Sequence, residues 1–385
     1  MATLSVFVEP MSREFDWSRT AMSGAVSLGG LLAAFVSPLI GGLVDRHGAR
    51  IVLSVGALII GGAAIALSQT TSLLWFYIAF SIGRLTFAGP FDIGISGAVA
   101  SWFLRARAQA MAYVNVGSTV GLAALPMIAH LAMTGGGWPA GWLVLGVTVI
   151  VIGAAPTALL MHRRPEDVGL RLDGAAVDEL ERDQGDAAPT DEPGFDRDTA
   201  LRTPALWLLV AYSAIIFPVQ AGISLHQAPN IIQQGLTATV AAAVVSTFSL
   251  SAMLAGLAFG LAARRIPVRF LLAAVAALMS SSALAMIDIG SATQAYAAAV
   301  VFGAGIGGLL TLLPVAWADY FGRAHFGAIR GVTLPVQVIG QAAGPLIAGV
   351  LYDLSGSYQL SLGAFSVLGC VAVVLALLAR PPRRP

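Results

Sequence analysis

The sequence contains no lysine, one cysteine and few charges of either sign, and each shortage removes a class of function. Without lysine there is no Walker A phosphate loop and no side-chain amine for a Schiff base, which excludes ATP hydrolysis by that route and pyridoxal catalysis. A single cysteine, Cys370, rules out an intrachain disulfide and any paired-thiol metal site. H-E-x-x-H and G-x-S-x-G strings are absent and the five histidines are scattered, so no metal, cofactor or enzymatic activity is expected. The net charge of +1 carries no nucleic-acid signal.

What is present is apolar. Charged residues make up 11% of the chain, against about a quarter in soluble domains, while 57% is hydrophobic and the mean hydropathy is +0.83. Stretches long enough to cross a hydrocarbon core of about 30 Å lie near 20–43, 51–68, 73–100, 108–132, 139–161, 204–228, 237–262, 267–287, 293–318, 328–352 and 358–379. Lipid offers no partner to unpaired backbone groups and no strand alternation suggests a barrel, so all are read as helices of an all-α integral membrane protein.

The 21 basic residues are all Arg, and their placement sets the orientation. With short loops alternating between the two sides, Arg46, Arg50, Arg105, Arg107, Arg163, Arg164, Arg264, Arg265, Arg269, Arg323, Arg330, Arg380, Arg383 and Arg384 share one side. Only Arg13 and Arg19 fall on the other. The positive-inside rule makes the first side cytoplasmic, together with the 162–203 loop and the C-terminus. A multi-pass protein of a bacterial inner membrane is the expectation.

Two halves flank the polar stretch 162–203, which holds twelve acidic residues and too little apolar surface to fold alone. The expected organisation is an N-terminal bundle over 1–161, an acidic cytoplasmic linker over 162–203, disordered but for short helical ends, a C-terminal bundle over 204–380 and a tail over 381–385. The halves echo each other at an offset of 218: Gly42, Leu43 and Arg46 match Gly260, Leu261 and Arg264; Gly89 matches Gly307; Phe103 and Arg105 match Phe321 and Arg323. Such self-similarity implies two parallel, pseudo-symmetric six-helix bundles with the substrate path between them. The first half offers only five complete spans. Residues 1–9 therefore read as the outer end of a first span that begins upstream of Met1.

Gly41 to Arg50 is a charged, glycine-punctuated turn between two apolar stretches, with the pattern G-x-x-x-D-R-x-G-x-R carried by Gly41, Asp45, Arg46, Gly48 and Arg50. It resembles the loop after the second span of major facilitator superfamily transporters. Further strings are similar to the monocarboxylate and oxalate/formate porter branch: Glu14 to Arg19, Arg163 to Leu170, His226 to Pro229, Tyr320 to Arg323 with Phe326 and Gly327, Gly340 to Pro345, and Leu351 to Asp353. The resemblance implies twelve helices, alternating access of a central cavity, and a small organic anion such as a monocarboxylate, moved with protons or by exchange. It also implies that Asp45 meets the start of the eleventh helix, as a gating motif; the alternative is a topogenic charged turn. Porters of that branch commonly carry a basic residue in the eighth or eleventh span, and 237–262 and 331–352 contain none.

Arg84 and Asp92 are the ionisable residues deep inside a span. Arg84 lies about 16 Å along the fourth span from Leu73, where an Arg costs at least about 2.5 kcal/mol and is expected to face a cavity or a partner. Arg84 is the candidate anion holder through charge-assisted hydrogen bonds. Asp92 is a candidate proton carrier, as is His226. The competing reading makes Arg84 and Asp92 parts of a structural network. Asn115, Gln220, Gln337 and Gln341 are further substrate-binding candidates, against the alternative that they bond neighbouring helices. The glycine run 303–308 lies within a span and is read as a packing site, not a nucleotide loop.

The expected function is secondary active transport of a small, anionic solute across a lipid bilayer, with a proton or an exchanged anion as the second cargo. A non-transporting membrane sensor or scaffold on the same fold, and the permease of an ATP-driven complex, are the alternatives.

Overall fold

The structure, a computed structural model, describes residues 2–17, 19–174 and 194–382. Most of the linker expected to be disordered, 175–193, lies outside the described residues, as do Arg383, Arg384 and Pro385. Among the described residues the regular structure is helical: α1 Ala2–Phe15, α2 Arg19–His47, α3 Ala49–Leu67, α4 Leu73–Thr86, α5 Asp92–Trp102, α6 Arg107–Thr148, α7 Ala155–Leu160, α8 Arg197–Leu201, α9 Pro204–Gln233, α10 Ala238–Ala262, α11 Val268–Ala285, α12 Ala292–Phe321, α13 Phe326–Ser355 and α14 Gln359–Leu378. Wide, π-type turns at Phe87–Phe91 and Val149–Ala154 join α4 to α5 and α6 to α7.

Among the described residues, ten helical runs are long and apolar enough to cross a membrane. The longest, Arg107–Leu160, covers the two stretches expected at 108–132 and 139–161 and breaks at Gly136 and Gly137. Gly137 has a φ of 66°, a left-handed value that costs glycine nothing. Helix starts are fixed locally: the side chains of Ser72, Thr203, Thr237 and Ser291 accept the backbone N–H of the residue three positions on, satisfying donors the helix leaves open.

The chain forms two compact units. Unit 1 comprises 1–102, 117–190 and 323–335, and unit 2 comprises 103–116, 191–322 and 336–385. Unit 1 is knitted by small residues. A Cβ on Gly24 would strike the Tyr77 hydroxyl, and on Gly146 it would stand 2.7 Å from the Gly61 carbonyl, so α2 lies on α4 and α3 on α6 at backbone distance. An aromatic knot fills one end: Phe7 stacks on Trp142 at 4.0 Å and Phe15 on Trp17 at 4.5 Å, while Trp138 Nε1 donates to Glu14 at 2.5 Å. Aromatic pairs of this geometry add about 0.5–1.5 kcal/mol beyond their burial.

In unit 2 the glycine run of α12 is a packing face. Cβ atoms on Gly303 and Gly307 would strike the Phe248 and Ala252 carbonyls of α10, and one on Gly305 would lie 2.7 Å from Met279 of α11. Tyr212 is fully buried and donates to the Leu272 carbonyl at 3.1 Å, binding α9 to α11.

Candidate functional site

The decapeptide ends α2 and turns into α3 through Gly48, whose φ is 80°. Gly41 faces the start of α13: a Cβ on Gly41 would strike the Gly327 carbonyl, one on Gly327 would strike the Gly41 carbonyl, and one on Gly331 would lie 2.6 Å from the Ser37 carbonyl. This close approach carries Asp45 onto the first turn of α13. Its Oδ1 accepts the Gly327 N–H and its Oδ2 the Ala328 N–H, each at 2.8 Å. A carboxylate here satisfies two open donors and meets the positive end of the helix dipole. Arg46 is exposed, and Arg50 donates from Nε and a terminal nitrogen to the Ala158 carbonyl at 3.1 and 2.6 Å.

Two further carboxylates hold the same segment in unit 1. Asp92 Oδ2 pairs with Arg330 at 3.0 Å, the arginine side chain being 2% exposed and the aspartate 35%. Glu166 Oε1 pairs with Arg323 at 2.7 Å, and Arg323 also donates to the Ser101 carbonyl at 3.2 Å. Burial alone would raise the Glu166 carboxyl, but the hydrogen bond and charge of Arg323 and the charge of Arg164 outweigh it and hold it below the usual carboxylate range. The segment around Glu166 is itself braced, with Arg163 donating to the Asp45 carbonyl at 3.0 Å and Asp167 accepting the Arg164 N–H at 3.1 Å.

Unit 2 repeats the theme with different residues. Arg107, at the start of α6, pairs with Asp319 of α12 at 3.1 Å; its side chain is 2% exposed. A Cβ on Gly260 would lie 2.8 Å from the Ala108 carbonyl, and Arg264 donates to Gln109. Higher in α6, Asn115 donates to Thr311 at 3.0 Å.

These pairs correct two expectations. Arg107 and Arg330 were counted among loop cations, yet both are buried, in ion pairs. Arg330 lies inside the stretch expected at 328–352 and inside α13, which starts at Phe326, so it is a residue of the helix and not of the loop. The signal was an Arg within a turn of an apolar run, the place where a helix can bury a guanidinium and still reach a carboxylate.

Arg84 stands apart from all of them. It sits on α4 with its Cβ and Cγ against Gly29 of α2, where an added Cβ would come within 2.6 Å. Its Nε is buried and without a hydrogen bond, and no carboxylate among the described residues pairs with it. Of the other candidates, Gln220 donates to Ser224 at 3.3 Å, a ring nitrogen of His226 lies 3.2 Å from the Pro345 carbonyl, and Gln337 and Gln341 are half-buried on α13. The structure thus brings Asp45 and Asp92 together at the start of α13 and places Arg84 elsewhere on the fourth span.

The family model of the Major Facilitator Superfamily matches residues 1–227. The membrane sensor protein UhpC of Escherichia coli is 26% identical over 365 residues, covering 90% of this chain and 80% of that protein. Monocarboxylate transporter 2 of Rattus norvegicus is 23% identical over 364 residues, covering 90% and 71%. Among solved structures, the human organic anion transporter MFSD10 superposes with a TM-score of 0.72 at 18% identity, covering 97% of this chain and 95% of that one. The fucose:proton symporter FucP of E. coli superposes with a TM-score of 0.73 at 11% identity, covering 99% and 95%.

Proposed function

Because this chain belongs to the Major Facilitator Superfamily, we propose that it moves a small organic anion across the bilayer by alternating access, coupled to a proton or to a counter-moving anion, with Arg84 holding the anion. The observation that carries this reading is the Arg84 guanidinium, deep in the fourth span with a buried, unbonded Nε and no carboxylate partner among the described residues. A guanidinium this deep in a span without a carboxylate costs at least about 2.5 kcal/mol, and an anionic cargo supplies the missing partner. Asn115, Gln220, Gln337 and Gln341 serve as neutral contacts to the cargo.

Asp92 and His226 carry the proton. Asp92 is held by Arg330 at 3.0 Å, so taking up a proton on Asp92 and loosening the start of α13 are one event. Asp45, Gly41, Gly48, Arg46 and Arg50 form the gate of one state, which opens when Gly327 and Ala328 leave the Asp45 carboxylate. The linker side is cytoplasmic and the membrane is a bacterial inner membrane. The N-terminal bundle over 1–161 and the C-terminal bundle over 204–380 are the moving parts.

The test is uptake into proteoliposomes of a panel of radiolabelled mono- and dicarboxylates, with and without a pH gradient. Uptake of a monocarboxylate that responds to the gradient or to a trans anion supports the reading. A second reading, a membrane sensor that does not transport, is favoured by the likeness to UhpC, which bears that name; saturable anion binding with no uptake under any gradient selects it.

A further inference from the structure

Arg84 and Asp92 are eight residues apart. In an unbroken α-helix that separation is about 80° past two full turns, which would leave the two charges on different faces of the fourth span. The wide turn at Phe87–Phe91 changes this count. A π-type turn accommodates one additional residue, so the eight steps act as seven and Asp92 falls within about 20° of Arg84 around the axis, about 10 Å farther along it.

The contacts agree with that register. Gly56 of α3 faces Thr86 and Phe91 together: a Cβ there would lie 3.5 Å from the methyl of Thr86 and 3.0 Å from the Phe91 ring, so residues five apart share one face. On the α2 side, Arg84 packs against Gly29, and Gly89, again five residues on, packs against Ala33 and Ser37. Beyond the turn, Asp92 reaches Arg330 at 3.0 Å on α13, whose Gly331 touches Ser37 and Pro38 of the same α2. Pro90 lies inside the turn, where it has no N–H to give to the helix, and the Asp92 N–H closes the turn on the Gly89 carbonyl.

We infer that the wide turn at Phe87–Phe91 is a positioning element: its extra residue sets the register that aligns Asp92 with Arg84 on one helix face and so lets Asp92 hold Arg330. The bearing of this alignment on transport rests on the reading of Arg84 given above. It places the anion holder and the carboxylate that grips α13 on one rigid face, so that cargo at one is read at the other through a single helix.

Register makes a prediction that mere destabilisation does not. Removal of Cys370, the sole cysteine, as Cys370→Ser provides a background for cross-linking Asp92→Cys to Arg330→Cys with a short bis-methanethiosulfonate reagent in intact membranes. Deleting Ala88 turns the wide turn into an α-turn with the same register, and the cross-link persists. Inserting one alanine after Ala88 rotates residue 92 by about 100°, and the cross-link is lost; it returns when the cysteine is moved one place back, as Phe91→Cys. The pair Ser54→Cys and Thr157→Cys, whose parent hydroxyls are 3.0 Å apart, reports in each background that the fold is intact. Equal cross-linking at 92 in the lengthened and parent chains, or its loss on deleting Ala88 while the control pair persists, overturns the inference. If Arg84→Gln leaves anion uptake intact, the transport reading fails and the register result stands by itself. If Arg84→Gln abolishes uptake while the lengthened chain still cross-links at 92, the register inference alone fails.

Discussion

Asp45 Oδ1 accepts the backbone N–H of Gly327 at 2.8 Å, a bond between residues 282 positions apart in the chain. The same carboxylate takes the next N–H, that of Ala328, at 2.8 Å, so one side chain satisfies two open donors in the first turn of α13. Removing such a cap costs about 0.5–2 kcal/mol. Asp45→Ala is expected to lower stability by about 1–2 kcal/mol, and Asp45→Asn by less, because an amide oxygen still accepts while the favourable charge at the helix start is lost. Thermal unfolding of the purified protein in detergent checks the order.

Gly327→Ala attacks the same contact from the other side. A methyl there would sit 2.7 Å from Asp45 Oδ1 and run into the Gly41 carbonyl. Its effect is expected to overlap that of Asp45→Ala, so the double variant loses clearly less than the sum of the single losses. A fully additive pair, read in the same unfolding experiment, contradicts a shared contact.

The Arg107–Asp319 pair is lopsided, with side chains 2% and 39% exposed. Taking away the carboxylate leaves a buried guanidinium without it, so Asp319→Asn is expected to cost about 3 kcal/mol. Replacing the guanidinium by an apolar chain of similar length leaves the acid able to reach solvent, so Arg107→Met is expected to cost about 1 kcal/mol or less. Equal losses would show that burial of Arg107 does not govern the pair.

Glu166 gives a pH signature. Unfolded, it titrates near its ordinary value of 4.5; in the fold, Arg323 holds it lower. The folded protein therefore binds fewer protons between the two values, and the contribution of the pair is complete above the ordinary value and is lost as pH falls through the lowered one. The difference in melting temperature between the parent and Glu166→Gln is expected to be steady near neutrality and to shrink below about pH 4.5. High salt is expected to shrink it as well, since the carboxylate is 46% exposed.

The spans were legible because lipid demands about 20 apolar residues per crossing, and the described helices occupy the apolar stretches expected. The turn at Gly41 to Arg50 was legible through its glycines and charges. Arg330 was not, because its place near the start of an apolar stretch suits a loop cation as well as a buried one, and the carboxylate that decides, Asp92, is 238 residues away. Arg107 and Asp319 pair across 212 residues, and no local spacing encodes that. The Gly89-Pro90 pair leaves open whether the fourth span bends or adds a residue to one turn, because that depends on what packs against it. Here Gly56 accepts Thr86 and Phe91 side by side, a fact carried by α3 rather than by the string itself.

Whether Arg84 holds an anion is decided by saturable uptake by Arg84→Gln beside the parent in proteoliposomes, using whichever radiolabelled monocarboxylate the parent takes up best. Charge-assisted hydrogen bonds are worth about 1.5–3 kcal/mol, so an anion held by Arg84 is expected to bind about 10–100-fold more weakly in Arg84→Gln, with Arg84→Lys recovering part of the loss. Unchanged affinity and rate in Arg84→Gln would contradict it.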